Sequence, residues 1–339
     1  MTKKKKQKQI TNNKNTTIMK KIFFGILAMA AFAACSNEEQ IAAPKGQEIA
    51  FGDAFVDNAT KAIYENGAVP TEFKVWGNVA GKVAQGEEQN FVALYGQNGA
   101  NVAGSGVNKV YTCDVVRYWT PSCDFNFAAI VNGSANTVVN GMPTLISYTA
   151  AGDNDLLYAS ATAETDSQGN PSGAGTTTIA GETTPVVAFT FKHLLSRIAF
   201  KFTVAADLAE GYTYGVENVK VAGAYATGDC TPAGAWSNQQ GTIDALQFAN
   251  ITTVSTTGSV ADGAYVIIPG AQNLTITFDA VCYLNGTEIK TYQYTKTVTN
   301  ELLANNAYTF VAELPVPGNP IKFTVVEVAG FENGGNVNI

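Results

Sequence analysis

The chain has one histidine, His193, and none of its five cysteines forms a CxxC pair, so the usual ligands of a zinc site are missing. No Ser or Cys nucleophile motif accompanies His193, which therefore reads as a turn or core residue rather than a catalytic base. Asp153-Asn154-Asp155 begins like a calcium loop, but Leu156-Leu157 follows where that loop needs a glycine and, further on, a glutamate. It reads as a solvated turn. Gly104-Ser105-Gly106 lacks the strand-to-helix setting of a phosphate cradle. No segment marks a carboxylate pair suited to glycoside hydrolysis. The expectation is a protein that is not an enzyme and carries no metal and no cofactor.

Charge is also scarce: 14% of the 339 residues are charged, against 46% hydrophobic, enough for two cores of ordinary size. Helix-forming runs are few, while glycine (32 residues), Thr, Val and Asn abound, which points to an all-β protein. No short fixed repeat is visible, which excludes a solenoid. The net charge of −7 hides a more acidic body, because residues 1–34 hold eight lysines and no acid. Without them 13 basic residues face 28 acidic ones, a net of −15 that repels phosphate backbones. Nucleic acid is not an expected partner.

A basic, polar stretch precedes Met19, which reads as the true start of a leader occupying residues 1–34. Lys20 and Lys21 precede the apolar run Ile22 to Met29, and Phe32-Ala33-Ala34 leads into Cys35. The run is too short for a spanning helix. The pattern resembles a bacterial lipoprotein signal, which implies cleavage before Cys35 and acylation of its thiol. Ser36 to Gln40 is acidic, like tags that send some lipoproteins to the outer surface. Residues 35–46 form a linker in which Pro44 and Gly46 bar regular structure.

The stretch Gln47 to Lys61 reads as a first strand, with Ile49, Phe51 and Phe55 on alternate positions and Lys61 at its edge. Strand-like runs follow at Glu72 to Trp76, Asn90 to Tyr95, Val107 to Thr112, Phe125 to Val131, Thr144 to Thr149 and Leu156 to Ala161. Turn residues separate them at sandwich spacing. Glu164 to Thr184 looks the least regular interior segment, and a domain boundary is placed after it, giving domains 47–185 and 186–339. In the second, Phe189 and Phe191 alternate, as do Ile198, Phe200, Phe202 and Val204, and Asn285-Gly286 suits a two-residue hairpin. Cys113 and Cys123 could close a hairpin with a disulfide.

The tail, 320–339, follows a break at Pro315, Pro317 and Pro320. Ile321, Phe323 and Val325 share one face, then the phase slips so that Val326 and Val328 share the other, as a bulge or two short strands would explain. A lone apolar strand on a proline hinge needs a sheet to join.

Together, several segments resemble the fimbrillins, the subunits of type V pili of the Bacteroidales. They are the signal ending at Cys35, EIAFGDAF before ATKA, FKVWG from Phe73, RYWTPSCDFNFAAI from Arg117 and DLLYASA from Asp155. FTFKHLLSRIAFKF from Phe189, YVIIPGAQNLTITF from Tyr265, LLANNAYTF from Leu302 and IKFTVVEV in the tail complete the set. The resemblance implies two tandem transthyretin-like, Greek-key β-sandwich domains and export as a lipidated precursor to the outer membrane. It implies cutting by a trypsin-like surface protease, with Lys61 at the matching position. The released first strand leaves a groove that a neighbour's C-terminal strand fills, here Ile321, Phe323, Val325, Val326 and Val328. Partners are copies of the chain and other pilus subunits, and the destination is a surface fimbrium supporting adhesion. Relatives tend to carry arginine at the cut; an uncut Lys61 would imply an anchor subunit. A monomeric surface lipoprotein binding glycan or host protein, through loops such as Glu164 to Thr184 or through Trp76, Trp119 and Trp236, is the alternative.

Overall fold

The computed structural model describes residues 47–56, 70–104, 109–151 and 154–329. Cys35, Lys61, the leader and residues 330–339 lie outside them. Every helix-or-strand element among the described residues is a β-strand. In chain order these are β1 (Phe51–Val56), β2 (Glu72–Gly81), β3 (Val92–Ala93), β4 (Ala100–Ala103), β5 (Val110–Cys113), β6 (Cys123–Val131) and β7 (Ser134–Val139). Next come β8 (Met142–Thr149), β9 (Leu157–Thr165), β10 (Pro171–Ser172), β11 (Thr176–Thr177), β12 (Val186–His193), β13 (Ser196–Val204), β14 (Tyr212–Ala222) and β15 (Tyr225–Cys230). The last are β16 (Trp236–Thr242), β17 (Leu246–Gln247), β18 (Ser259–Ile267), β19 (Gly270–Leu284), β20 (Thr287–Leu302), β21 (Asn306–Leu314) and β22 (Lys322–Ala329).

Alternation of burial explains why these stretches are strands. Along β9, Leu157, Ala159, Ala161, Ala163 and Thr165 are buried while Ser160, Thr162 and Glu164 are exposed. The strands β9-β6-β2-β4-β5-β1-β12 are hydrogen-bonded in that order, and β12 returns to β9 at Lys192 and His193, so the sheet closes on itself. Its inner face encloses an aromatic core that includes Phe51, Phe73, Phe127 and Phe189.

A second core lies between two four-stranded sheets, β18-β13-β21-β22 and β17-β14-β19-β20. Phe202 and Phe278 meet edge to face across it, ring centroids 5.1 Å apart. This is a β-sandwich arrangement. Asn285 and Gly286 both take positive φ, 49° and 79°, in the two-residue turn joining β19 to β20, which asparagine tolerates and glycine, lacking a β-carbon, adopts freely. The fourth sheet, β16-β15-β8-β7, hydrogen-bonds strands from either side of residue 185. A third cluster, including Trp76, Ile146, Leu156 and Leu195, lies against it.

Four expectations are corrected. Glu164 to Thr184 is not irregular throughout: β10 pairs with β9, β11 with β12, and Ile179 is buried. Of Asn90 to Tyr95, only Val92–Ala93 pairs as a strand. Cys113 and Cys123 are free thiols. Through the pairings of β2 and β4, Cys113 lies level with Phe73 while Cys123 lies opposite Gly81. That is eight residues apart along β2, roughly 26 Å, beyond disulfide reach. Finally, β22 runs against β21 through eight consecutive pairs without a bulge, from Lys322 to Ala329. The tail's phase slip therefore leaves adjacent residues Val325 and Val326 both half-buried.

Candidate functional site

The first strand is a structural member of the closed sheet. β5 pairs with it antiparallel at Phe51 and Gly52, and β12 pairs with it parallel from Phe51 to Val56. Upstream, the Ile49 amide donates to the Arg117 carbonyl at 2.8 Å and the Trp119 amide to the Gln47 carbonyl at 3.1 Å. Ile49 and Phe51 are buried as the alternation predicts. Phe51 stacks on Phe189 at 6.0 Å and 12°, and meets Phe127 edge to face at 5.9 Å. Between Gly52 and Ala54 the register shifts, so the backbone sets Ala54 opposite Phe189, Phe55 opposite Thr190 and Val56 opposite Phe191. The strict alternation expected through Phe55 is broken by a bulge at Asp53.

Gly52 is a site the alternation pattern does not mark. A β-carbon there would lie 2.6 Å from the Lys109 carbonyl oxygen, 2.8 Å from Ile179 Cδ1 and 3.1 Å from Val186 Cγ2. The segment between β10 and β12 thus presses on β1 from outside while the aromatic core receives Phe51 from within. A glycine inside an apolar strand is the one sequence signal of so close an approach. Lifting β1 away would open the ring between β5 and β12 and uncover Phe127 and Phe189.

At the other end, β22 borders β21 at the edge of its sheet. Ile321, Phe323 and Val325 pack on the sandwich core. Phe323 lies 6.0 Å from Phe310 and 5.9 Å from Tyr294, and Lys322 Nζ donates to Glu313 Oε1 at 2.7 Å. In this structure the tail completes its own sandwich.

The remaining candidates are packed rather than presented. Trp76 and Trp119 are buried, and the Trp236 indole donates to the Leu194 carbonyl at 2.7 Å. Asp155 is not solvated: it is fully buried, with His193 Nδ1 2.5 Å from its Oδ2 where β12 ends. Burial raises the Asp155 carboxyl above its usual range, and the His193 contact opposes that rise. The spacing of Asp155 and His193, far apart in sequence, gave no sign of this pair.

A family model described as fimbrillin-like matches residues 61–328. The chain belongs to the fimbrillin-like family. The matched stretch of this fimbrillin begins after β1 and ends within β22. Its fold is similar to that of a fimbrial protein from Bacteroides vulgatus, over 83% of this chain and 99% of that one, with 13% identity and a TM-score of 0.56. A candidate cell adhesion protein from Bacteroides ovatus aligns over 86% of this chain and 99% of its own, with 14% identity and a TM-score of 0.48. No curated protein matches this fimbrillin.

Proposed function

We propose that this fimbrillin is a non-enzymatic structural subunit, of the stalk, in a cell-surface type V pilus that supports adhesion. It is exported as a lipoprotein acylated at Cys35 and held at the outer membrane by that lipid. Its two tandem sandwich domains are of transthyretin-like type. A trypsin-like surface protease cuts after Lys61 and releases the segment bearing Ile49, Phe51 and Phe55. The groove is refilled by the terminal segment of a neighbouring copy, drawn from Ile321, Phe323, Val325, Val326 and Val328.

The seat of β1 carries this reading: one short strand closes the ring, contributes Phe51 to the aromatic core and lies outside the family-matched stretch. Burying an aromatic side chain contributes about 1.5–3 kcal/mol, and each ladder hydrogen bond about 1 kcal/mol net. An emptied seat is therefore a strong acceptor. The glycan-binding alternative loses its support where Trp76 and Trp119 are buried and the Glu164 to Thr184 segment is paired.

Treatment of the exported chain with a trypsin-like protease tests the proposal. The expected result is a new N-terminus at Ala62 and conversion of monomers into filaments, with truncation before Pro320 leaving folded subunits that stay single. An intact acylated Cys35 on the protein recovered from filaments would overturn the stalk assignment in favour of an anchor.

A further inference from the structure

A cleft of about 620 Å³ lies between β2 and β4 on one side and the β6–β7 turn and β8 on the other. Sites for small molecules span about 300–1,000 Å³, so the volume is that of a ligand site. Among the described residues, its lining takes nothing from β1, from Glu164 to Thr184 or from the three tryptophans.

The sheet registers decide which side chains meet there. One wall carries the cross-strand pair Lys74 and Asn101, with Glu72 two residues before Lys74 on the same face of β2. Ala103, opposite Glu72, is small and leaves the space open. The other wall carries a second cross-strand pair, Ser134 and Ser147, with Thr149 two residues further along β8. Three polar groups of the cleft are held in place. The Asp114 carboxylate accepts from the Asn101 backbone amide at 2.8 Å and from its Nδ2 at 2.6 Å. Asn132 Nδ2 donates to the Asp155 carbonyl at 2.9 Å, and Ser147 Oγ donates to Asp229 Oδ1 at 2.5 Å. Gly133 lets the turn sit directly on the third core cluster: a β-carbon there would lie 2.5 Å from Leu156 Cδ1 and 3.0 Å from Ile130 Cγ2. The cleft is therefore preformed.

With those nitrogens and that hydroxyl proton engaged, the amide oxygens of Asn101 and Asn132 and the Ser147 oxygen are left as acceptors, and no described residue donates to them. Glu72 and Lys74 form no ion pair with any described residue. Held acceptors call for a ligand that donates many hydrogen bonds, and two side chains of opposite sign call for one without net charge. We propose that this cleft binds an uncharged saccharide, whose hydroxyls donate to Asn101, Asn132, Ser147 and Glu72 and accept from Lys74. An acidic sugar would bring its carboxylate towards Glu72 in a body that is already acidic. An extended peptide is the poorer fit, because β2, β4 and β8 are each paired on both sides and offer no free backbone edge. A single chain supplies every one of these groups, so the proposal stands apart from strand exchange.

The test uses the full-length, uncleaved chain on an array of neutral oligosaccharides, their sialylated counterparts, and oligolysine and Ser-Gly peptides. Neutral sugars should be retained, and their sialylated counterparts about tenfold less, the worth of one or two hydrogen bonds. Ser134→Trp and Thr149→Trp, at exposed positions of the cleft wall, should each lower retention by about tenfold or more without moving the melting temperature. Thr137→Trp, exposed on β7 outside the cleft, should change nothing. Glu72→Gln should narrow the gap between neutral and sialylated sugars. Retention of no neutral sugar, retention of the peptides in its place, or retention indifferent to both cleft tryptophans overturns the proposal.

Discussion

Phe51 and Phe189 lie nearly parallel, ring centroids 6.0 Å apart at 12°, on neighbouring parallel strands. This contact ties the first strand to the aromatic core. Phe51→Ala should destabilise the uncleaved chain by about 3–5 kcal/mol, the usual cost of emptying a buried aromatic site. A lowered urea midpoint with an unchanged slope is the expected result; an unchanged midpoint would mean that β1 is a bystander.

Gly52→Ala places a β-carbon against Lys109 and Ile179. Overpacking of this kind costs about 1–3 kcal/mol. Ile179→Ala destabilises on its own, because Ile179 is buried, but the loss in the double variant should be less than the sum of the two single losses, with only part relieved because the Lys109 carbonyl remains in the way. Chemical denaturation of the two single variants and the double variant separates the side-chain and backbone contributions.

The described thiols should behave as four independent cysteines. Mass spectrometry without reductant should find no bridge between Cys113 and Cys123, and Cys113→Ser should melt at the parent temperature with or without reductant. Burial pushes the Cys230 thiol up to about 12, so at pH 8 it stays protonated and alkylates only on unfolding.

Asp229 accepts hydrogen bonds from Ser147 at 2.5 Å and Asn238 at 2.9 Å, joining β15 to β8 and to β16. These bonds, Ser147's first, hold its carboxyl below the usual value of 3.8. A depressed folded-state pKa gives stability that is present above the unfolded value and lost as pH falls through the folded one. Melting temperatures recorded from pH 7 down to pH 2 should therefore show Asp229→Asn trailing the parent at neutral pH and converging with it below about pH 4.

The signals that came through in the sequence are local ones. Alternation in β9 and β13, the Asn285-Gly286 turn and the burial of Ile49 and Phe51 follow from side-chain period and turn chemistry, which act within a few residues. The bulge at Asp53 did not show, because an extra residue in a strand is defined only by the partner strand it fails to match. Nor did the pairing of Glu164 to Thr184, whose short strands lean on β9 and β12 rather than on their own propensity.

By itself the sequence determined the all-β character, the lack of zinc-site and nucleophile motifs, and the apolar strands at either end of the body, because residue type and period act along the chain. Only the tertiary structure decided that β1 closes a ring, that Ile179 covers Gly52, that Cys113 and Cys123 stand far apart and that Asp155 meets His193. Each of these joins residues distant in sequence, and their meeting depends on strand order and register, which no single segment encodes.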